Sequence, residues 1–375
     1  MLVTSDKEMN GMNKRLASVA AWLKAEKTDA AFITSPDNVF YLSGYRSDPH
    51  ERLLGICVFQ EKEPFLVCPA MEAYDAKKAG WEYDILGIRD TDNPWDLVAG
   101  EIRGRIGNVD TFAVEKEHLN VERFEALKER FGGARFTAAE EKLRTMRLIK
   151  DEQEQKILRE AAAFADLAVE TGIREIQEGK TELEIVAAIE FAMKEKGISE
   201  MSFATTVLSG AKAASPHGAP GLDKIEKGNF VLFDLGVVHQ GYCSDITRTV
   251  AFGGLSEEQT RIYETVLKAE EAAVAAAKPG VKAKELDLIA RRIIEDAGYG
   301  EYFTHRLGHG LGISIHEYPS VTHTNELVLE EGMVFTIEPG IYVPGVAGVR
   351  IEDDVCITKT GAEVLTKYPK ALQYV

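Results

Sequence analysis

The chain has 375 residues, 45% of them hydrophobic, with 44 Lys plus Arg against 61 Asp plus Glu and a formal charge of −17. A negative balance without basic blocks repels phosphate and so excludes nucleic acid and an anionic membrane as partners. No run reaches the roughly 18 apolar residues of a membrane span, and the length suits two domains with separate cores.

The first stretch, MLVTSDKEMNGMNKRL, has neither an apolar core nor a small-residue cleavage site, so it is no secretory signal. Leu16, Ala20 and Leu23 recur at helical spacing; residues 30–33 read as a strand closed by Ser35-Pro36, and further strands fit 54–59 and 65–67. This alternation predicts an α/β domain on a mixed sheet. Residues 138–150, AAEEKLRTMRLIK, are charged and helical and mark the connection, giving domains of 1–137 and 138–375. Beyond it, Ile157, Ala161, Phe164 and Ala168 form a helical stripe that Ile262, Val266, Ala269 and Ala273 repeat before Lys278-Pro279-Gly280 breaks it. Strands fit 230–236, 247–252, 333–340 and 354–358. Cys57, Cys68, Cys243 and Cys356 form no C-x-x-C pair and read as reduced thiols of a cytoplasmic protein.

The second domain repeats itself. KTELEIVAAIEFAMKEKG (180–197) resembles KAKELDLIARRIIEDAG (282–298), and KGNFVLFDLG (227–236) resembles EGMVFTIEPG (331–340). The latter pair aligns Asp234 with Glu338 at an offset of 104, and His217-x-x-Pro220 aligns with His316-x-x-Pro319 at an offset of 99. Three matches in one order predict two related halves facing each other across a pseudo-two-fold axis.

Each half carries carboxylates inside otherwise apolar strands: Asp234, Asp245, Glu338 and Glu352. Ionised carboxylates there need positive compensation. Arg248 and Arg350 are the strand cations nearby, and two divalent ions are the other option. His305, His309 and His316 lie close together, and His309 sits in LGHGLG, where glycines let the backbone approach a site. An oxygen-rich set with one imidazole suits Mn²⁺, Co²⁺ or Fe²⁺ better than a thiolate zinc site. Residues 308–312 do not match G-x-G-x-x-G, His316-Glu317 is no zincin motif, and no G-x-S-x-G occurs.

The strings FDLG, SDITRT, GHGLG, TIEPG and RIEDD resemble those of the metallopeptidase family of methionine aminopeptidase, aminopeptidase P and prolidase. Asp234, Asp245, His309, Glu338 and Glu352 match its metal ligands in order, at spacings of 11, 64, 29 and 14. The resemblance implies an α/β (α+β) protein: a creatinase-type N-terminal α/β domain, then a pita-bread catalytic domain with internal pseudo-two-fold duplication. It further implies two divalent metal ions per chain, with Mn²⁺ first and Co²⁺, Fe²⁺ or Zn²⁺ as alternatives. A hydroxide bridging them would attack the scissile carbonyl, with Glu338 as proton acceptor. His217 and His316 would steady the substrate and oxyanion, and His305 and Arg350 would contact substrate. Phe203 and Ile315 would form an apolar wall for a proline ring.

The expected substrate is a small peptide with proline second. The expected activity is that of an Xaa-Pro dipeptidase (prolidase), acting as a homodimer; the alternative is an Xaa-Pro aminopeptidase on longer peptides. A metal-free binding protein or creatinase-like hydrolase is a remote third. Some dipeptidases of the family carry an arginine shortly after the second H-x-x-P, whereas Ser320 follows Pro319 here, so the substrate carboxylate needs another contact.

Overall fold

The computed structural model describes residues 11–216 and 218–375; His217, and the first ten residues of the N-terminal stretch read above, lie outside the described residues. Two compact units meet between Met146 and Arg147.

The first unit is built on a six-stranded sheet of β1 (Ala30–Ile33), β2 (Gly55–Phe59), β3 (Phe65–Pro69), β4 (Asp84–Ile88), β5 (Thr111–Val114) and β6 (Arg135–Ala138), in the order β4-β3-β2-β1-β5-β6. It is mixed: β1–β2 and β2–β3 pair antiparallel, the other neighbours parallel. The three strands expected early in the chain are present, and Ser35-Pro36 ends β1 because Ser35 caps the helix Pro36–Ser43, with proline in its first turn. The buried Glu115 carboxylate accepts from the Ser35 amide at 2.8 Å and from Asn38 Nδ2 at 2.6 Å, which holds that helix start against the sheet. Phe32, Phe59, Phe65 and Phe112 fill the core.

The second unit opens with the helices Glu152–Arg174 and Glu182–Glu195, both started by capping boxes, Asp151 with Glu154 and Thr181 with Glu184. They pack on an antiparallel sheet of Thr206–Ser209, Asn229–Leu235 and Ile246–Phe252, with the middle segment central. The arrangement then recurs. The helices Glu257–Ala276 and Ala283–Asp296 precede a five-stranded sheet in which Gly308–Gly310, Val334–Ile337 and Asp353–Ile357 stand in the same relative order. The expected duplication is therefore visible as repeated topology. Each half has its own core, around Ile189, Val231 and Phe233 in one and Ile262, Val266 and Phe335 in the other. Among the described residues no helix is long and apolar enough to cross a membrane.

Candidate active site

The carboxylates and the imidazole singled out by the sequence come from separate segments, each where a ladder ends or breaks. Asp234 is the next-to-last residue of Asn229–Leu235, and Asp245 immediately precedes Ile246–Phe252. His309 is central in Gly308–Gly310, Glu338 follows Val334–Ile337, and Glu352 lies between Ala347–Arg350 and Asp353–Ile357. Two glycines allow this convergence. A Cβ at Gly236 would overlap the Ser244 carbonyl, and one at Gly308 would overlap that of Thr336. The backbone thus brings Asp234 close to Asp245, and His309 close to Glu338.

His309 Nε2 lies 3.6 Å from Asp245 Oδ2 and 3.3 Å from Glu338 Oε1. Ligand atoms of Asp245, His309 and Glu352 all fall within 4.8 Å of one another. His309 Nδ1 is 3.2 Å from the Gly310 carbonyl, which only accepts, so Nδ1 carries the proton and the Nε2 lone pair faces the carboxylates. A lone pair facing carboxylate oxygens is repulsive unless a cation lies between them.

Two threonine hydroxyls order this set. Thr336 Oγ1 accepts from the His309 amide at 3.1 Å and donates to Glu338 Oε1 at 3.2 Å. Thr247 Oγ1 donates to Glu352 Oε2 at 2.6 Å and accepts from Arg350 Nε at 3.0 Å. Arg350 also donates to the Tyr342 hydroxyl at 2.8 Å and pairs with Asp234. Tyr342 in turn donates to His305 Nε2 at 3.0 Å, because His305 Nδ1 must donate to the Arg306 carbonyl 2.8 Å away.

Burial and mutual repulsion dominate the electrostatics. Burial, then Glu352 and Asp234, holds the Asp245 carboxyl well above its usual range; burial and Glu338 do the same for Glu352. Glu338 is pushed up to about 7, chiefly by burial. Burial, helped by the neighbouring His316, lowers His309 to about 3. Among the described residues, Asp245 Oδ1 and Glu352 Oε1 are buried without a hydrogen-bond partner. Such atoms are costly unless paired, and crowded acids beside an unprotonated imidazole are the donor set of a hard or borderline divalent cation. These residues therefore fit a divalent metal centre.

The five groups border a cavity of about 450 Å³ in the second unit, lined also by His305, His316, Arg350, Phe203 and Ile315. All described site candidates are thus brought together. The His316 ring stands edge-on to that of His309, centroids 4.3 Å apart. Sequence reasoning missed Arg306 and Tyr342, which line the same cavity, and the ordering role of Thr247 and Thr336. Arg306 had one available signal, a cation beside His305 in HRLGHG.

Both parts of the chain are similar to known proteins. Residues 156–359 match the model of metallopeptidase family M24, and residues 15–149 match the creatinase/prolidase N-terminal domain. YkvY of Bacillus subtilis (strain 168) is 55% identical over 358 residues, covering 96% of this chain and 99% of that protein. The prolidase of Pyrococcus horikoshii OT3 is 40% identical with a TM-score of 0.89, over 96% of this chain and all of its own (100%). An Xaa-Pro dipeptidase from Bacillus anthracis is 34% identical with a TM-score of 0.91, over 97% and 100%.

Proposed function

The chain belongs to metallopeptidase family M24, and from that premise we propose that it is an Xaa-Pro dipeptidase working with two divalent metal ions. The observation that carries this reading is the buried acidic cluster closing on the Nε2 of His309 at the wall of a small cavity. It occurs in a chain similar along nearly its whole length to a prolidase and an Xaa-Pro dipeptidase.

Asp234, Asp245, His309, Glu338 and Glu352 would hold the ions. Bound there, the metals supply Lewis acidity toward a carbonyl and lower the pKa of water. Glu338 takes the proton of the attacking water and returns it to the prolyl nitrogen as the peptide bond breaks. His316 hydrogen-bonds the carbonyl oxygen as charge builds on it, and the family resemblance gives His217, outside the described residues, the same role. Phe203 and Ile315 offer an apolar wall to the pyrrolidine ring. An X-Pro bond has no amide hydrogen, so a site that grips the ends of a small peptide suits it better than strand docking. The oxygen-rich donor set favours Mn²⁺, with Co²⁺, Fe²⁺ or Zn²⁺ as substitutes. A cytoplasmic homodimer belongs to the same reading, and light scattering of the purified protein tests its mass.

Proline release from Ala-Pro, set beside alanine release from Ala-Pro-Ala, tests the substrate class with Mn²⁺-loaded protein. Faster dipeptide hydrolysis is expected; faster tripeptide hydrolysis would make it an Xaa-Pro aminopeptidase. About two metal ions per chain are expected, with loss of both metal and rate in Asp245→Ala. Full activity without metal would overturn the metallopeptidase mechanism.

A further inference from the structure

We infer that Arg306 receives the substrate's C-terminal carboxylate and thereby selects dipeptides, an inference that rests on the Xaa-Pro dipeptidase reading above. Two guanidinium groups line the cavity. That of Arg350 is engaged by Asp234, Tyr342 and Thr247. That of Arg306 is half-buried and has no carboxylate partner among the described residues; its Nη1 donates to Ser320 Oγ at 3.3 Å. The rest of its planar fork is available for a bidentate contact.

Its position is suited to the task. Ser320 is the register partner of His309 in the neighbouring strand, so the contact brings the guanidinium close to the imidazole. A dipeptide brings its own carboxylate into a cavity already bordered by Asp234, Asp245, Glu338 and Glu352. The metal ions of the proposed centre offset those charges, and the carboxylate, on leaving water, still needs a charged hydrogen-bond partner of its own. Among the described residues Arg306 is the guanidinium of the cavity that no carboxylate engages, and it reaches Ser320, where the chain lacks an arginine after His316-x-x-Pro319. A longer peptide presents an uncharged amide at that point and gains nothing from the guanidinium.

The test compares Ala-Pro with Ala-prolinamide in the Mn²⁺-loaded wild type, Arg306→Gln and Arg306→Lys, with thermal unfolding as a check on the fold. The wild type is expected to prefer the acid. Arg306→Gln should lose roughly 10- to 100-fold in kcat/KM on Ala-Pro, mainly through KM, the worth of a charged hydrogen bond. The amide should change by less than about threefold, inhibition by free L-proline should weaken, and Arg306→Lys should recover part of the loss. Equal losses on both substrates, or no loss on Ala-Pro, would overturn the assignment while leaving the dipeptidase reading intact. If Arg306→Gln does not fold, the wild-type ratio and Arg306→Lys decide, and a wild type indifferent to the carboxylate overturns the assignment. A wild type that cleaves Ala-Pro-Ala faster than Ala-Pro overturns the dipeptidase reading itself, and this assignment with it.

Discussion

Thr247 and Glu352 join the two halves of the second unit directly: Thr247 Oγ1 donates to Glu352 Oε2 at 2.6 Å, and the Glu352 amide donates back to the Thr247 carbonyl at 3.1 Å. One hydroxyl thus orients a carboxylate of the candidate centre while accepting from Arg350. Outer partners of this kind typically carry about 10- to 100-fold in metal affinity. Thr247→Val is expected to weaken Mn²⁺ binding by about that factor, read by calorimetric titration of chelated protein, and Thr247→Ser to retain it. Unchanged affinity in the valine variant would remove Thr247 from the site.

Behind the centre, Arg248 is fully buried and donates to Asp353 Oδ1 at 2.6 Å and to the Glu352 carbonyl at 2.5 Å. Burial alone would raise the Asp353 carboxyl, but Arg248 and Lys370 outweigh it and hold it at about 2. Removing one partner strands a buried charge. Arg248→Met is expected to lower the unfolding free energy by about 3 kcal/mol or more in a urea titration, with a smaller effect from Lys370→Met, whose ammonium is partly solvated. A loss below about 1 kcal/mol would count against the pairing.

Glu317 sets a pH window for stability. Burial raises its carboxyl, yet Lys150 and Arg147 prevail and hold it below its ordinary 4.5. A carboxyl lowered by folding contributes stability that is fully present above its unfolded pKa and is lost as pH falls through the lower folded value. The advantage of the wild type over Glu317→Gln should therefore be constant from neutrality down to about pH 5 and shrink below the unfolded pKa. Urea midpoints at several pH values measure it; a difference that grows on acidification would contradict the ion pairs.

All four cysteines are buried, and Cys57, Cys68 and Cys356 are free thiols. Burial pushes the Cys68 thiol up to about 12 and Cys356 to about 11, and holds Cys57 well above its usual range. Since the thiolate is the nucleophile, these three should react slowly with Ellman's reagent at pH 8 in the folded protein and at once in denaturant. Rapid native-state labelling at any of them, located by mass spectrometry, would reveal local opening.

Much of the fold was legible because local chemistry dictated it. Strands β1 to β3 are fully buried, and their apolar runs stand out. Strands β4 and β6 are largely half-exposed edge strands whose polar residues, such as Asp84 and Arg135, blur the pattern. Residues 333–340 read as one strand but form Val334–Ile337 and Gly340–Val343, since the chain breaks its ladder at Glu338-Pro339 to aim the carboxylate at His309.

The sequence by itself singled out the carboxylates and the imidazole that border the cavity, though not Arg306 or Tyr342, because a carboxylate in an apolar strand and a histidine between glycines are anomalous wherever they occur. The repeat of the two halves was also readable, being linear in the chain. Only the tertiary structure decided how these groups are charged and held. Arg350 pairs with Asp234 across 116 positions, Thr247 meets Glu352 across 105, and Arg306 is left without an acidic partner among the described residues. Hydrogen bonds and ion pairs act over a few ångströms, and partners that far apart in the chain become neighbours only when the two halves pack together.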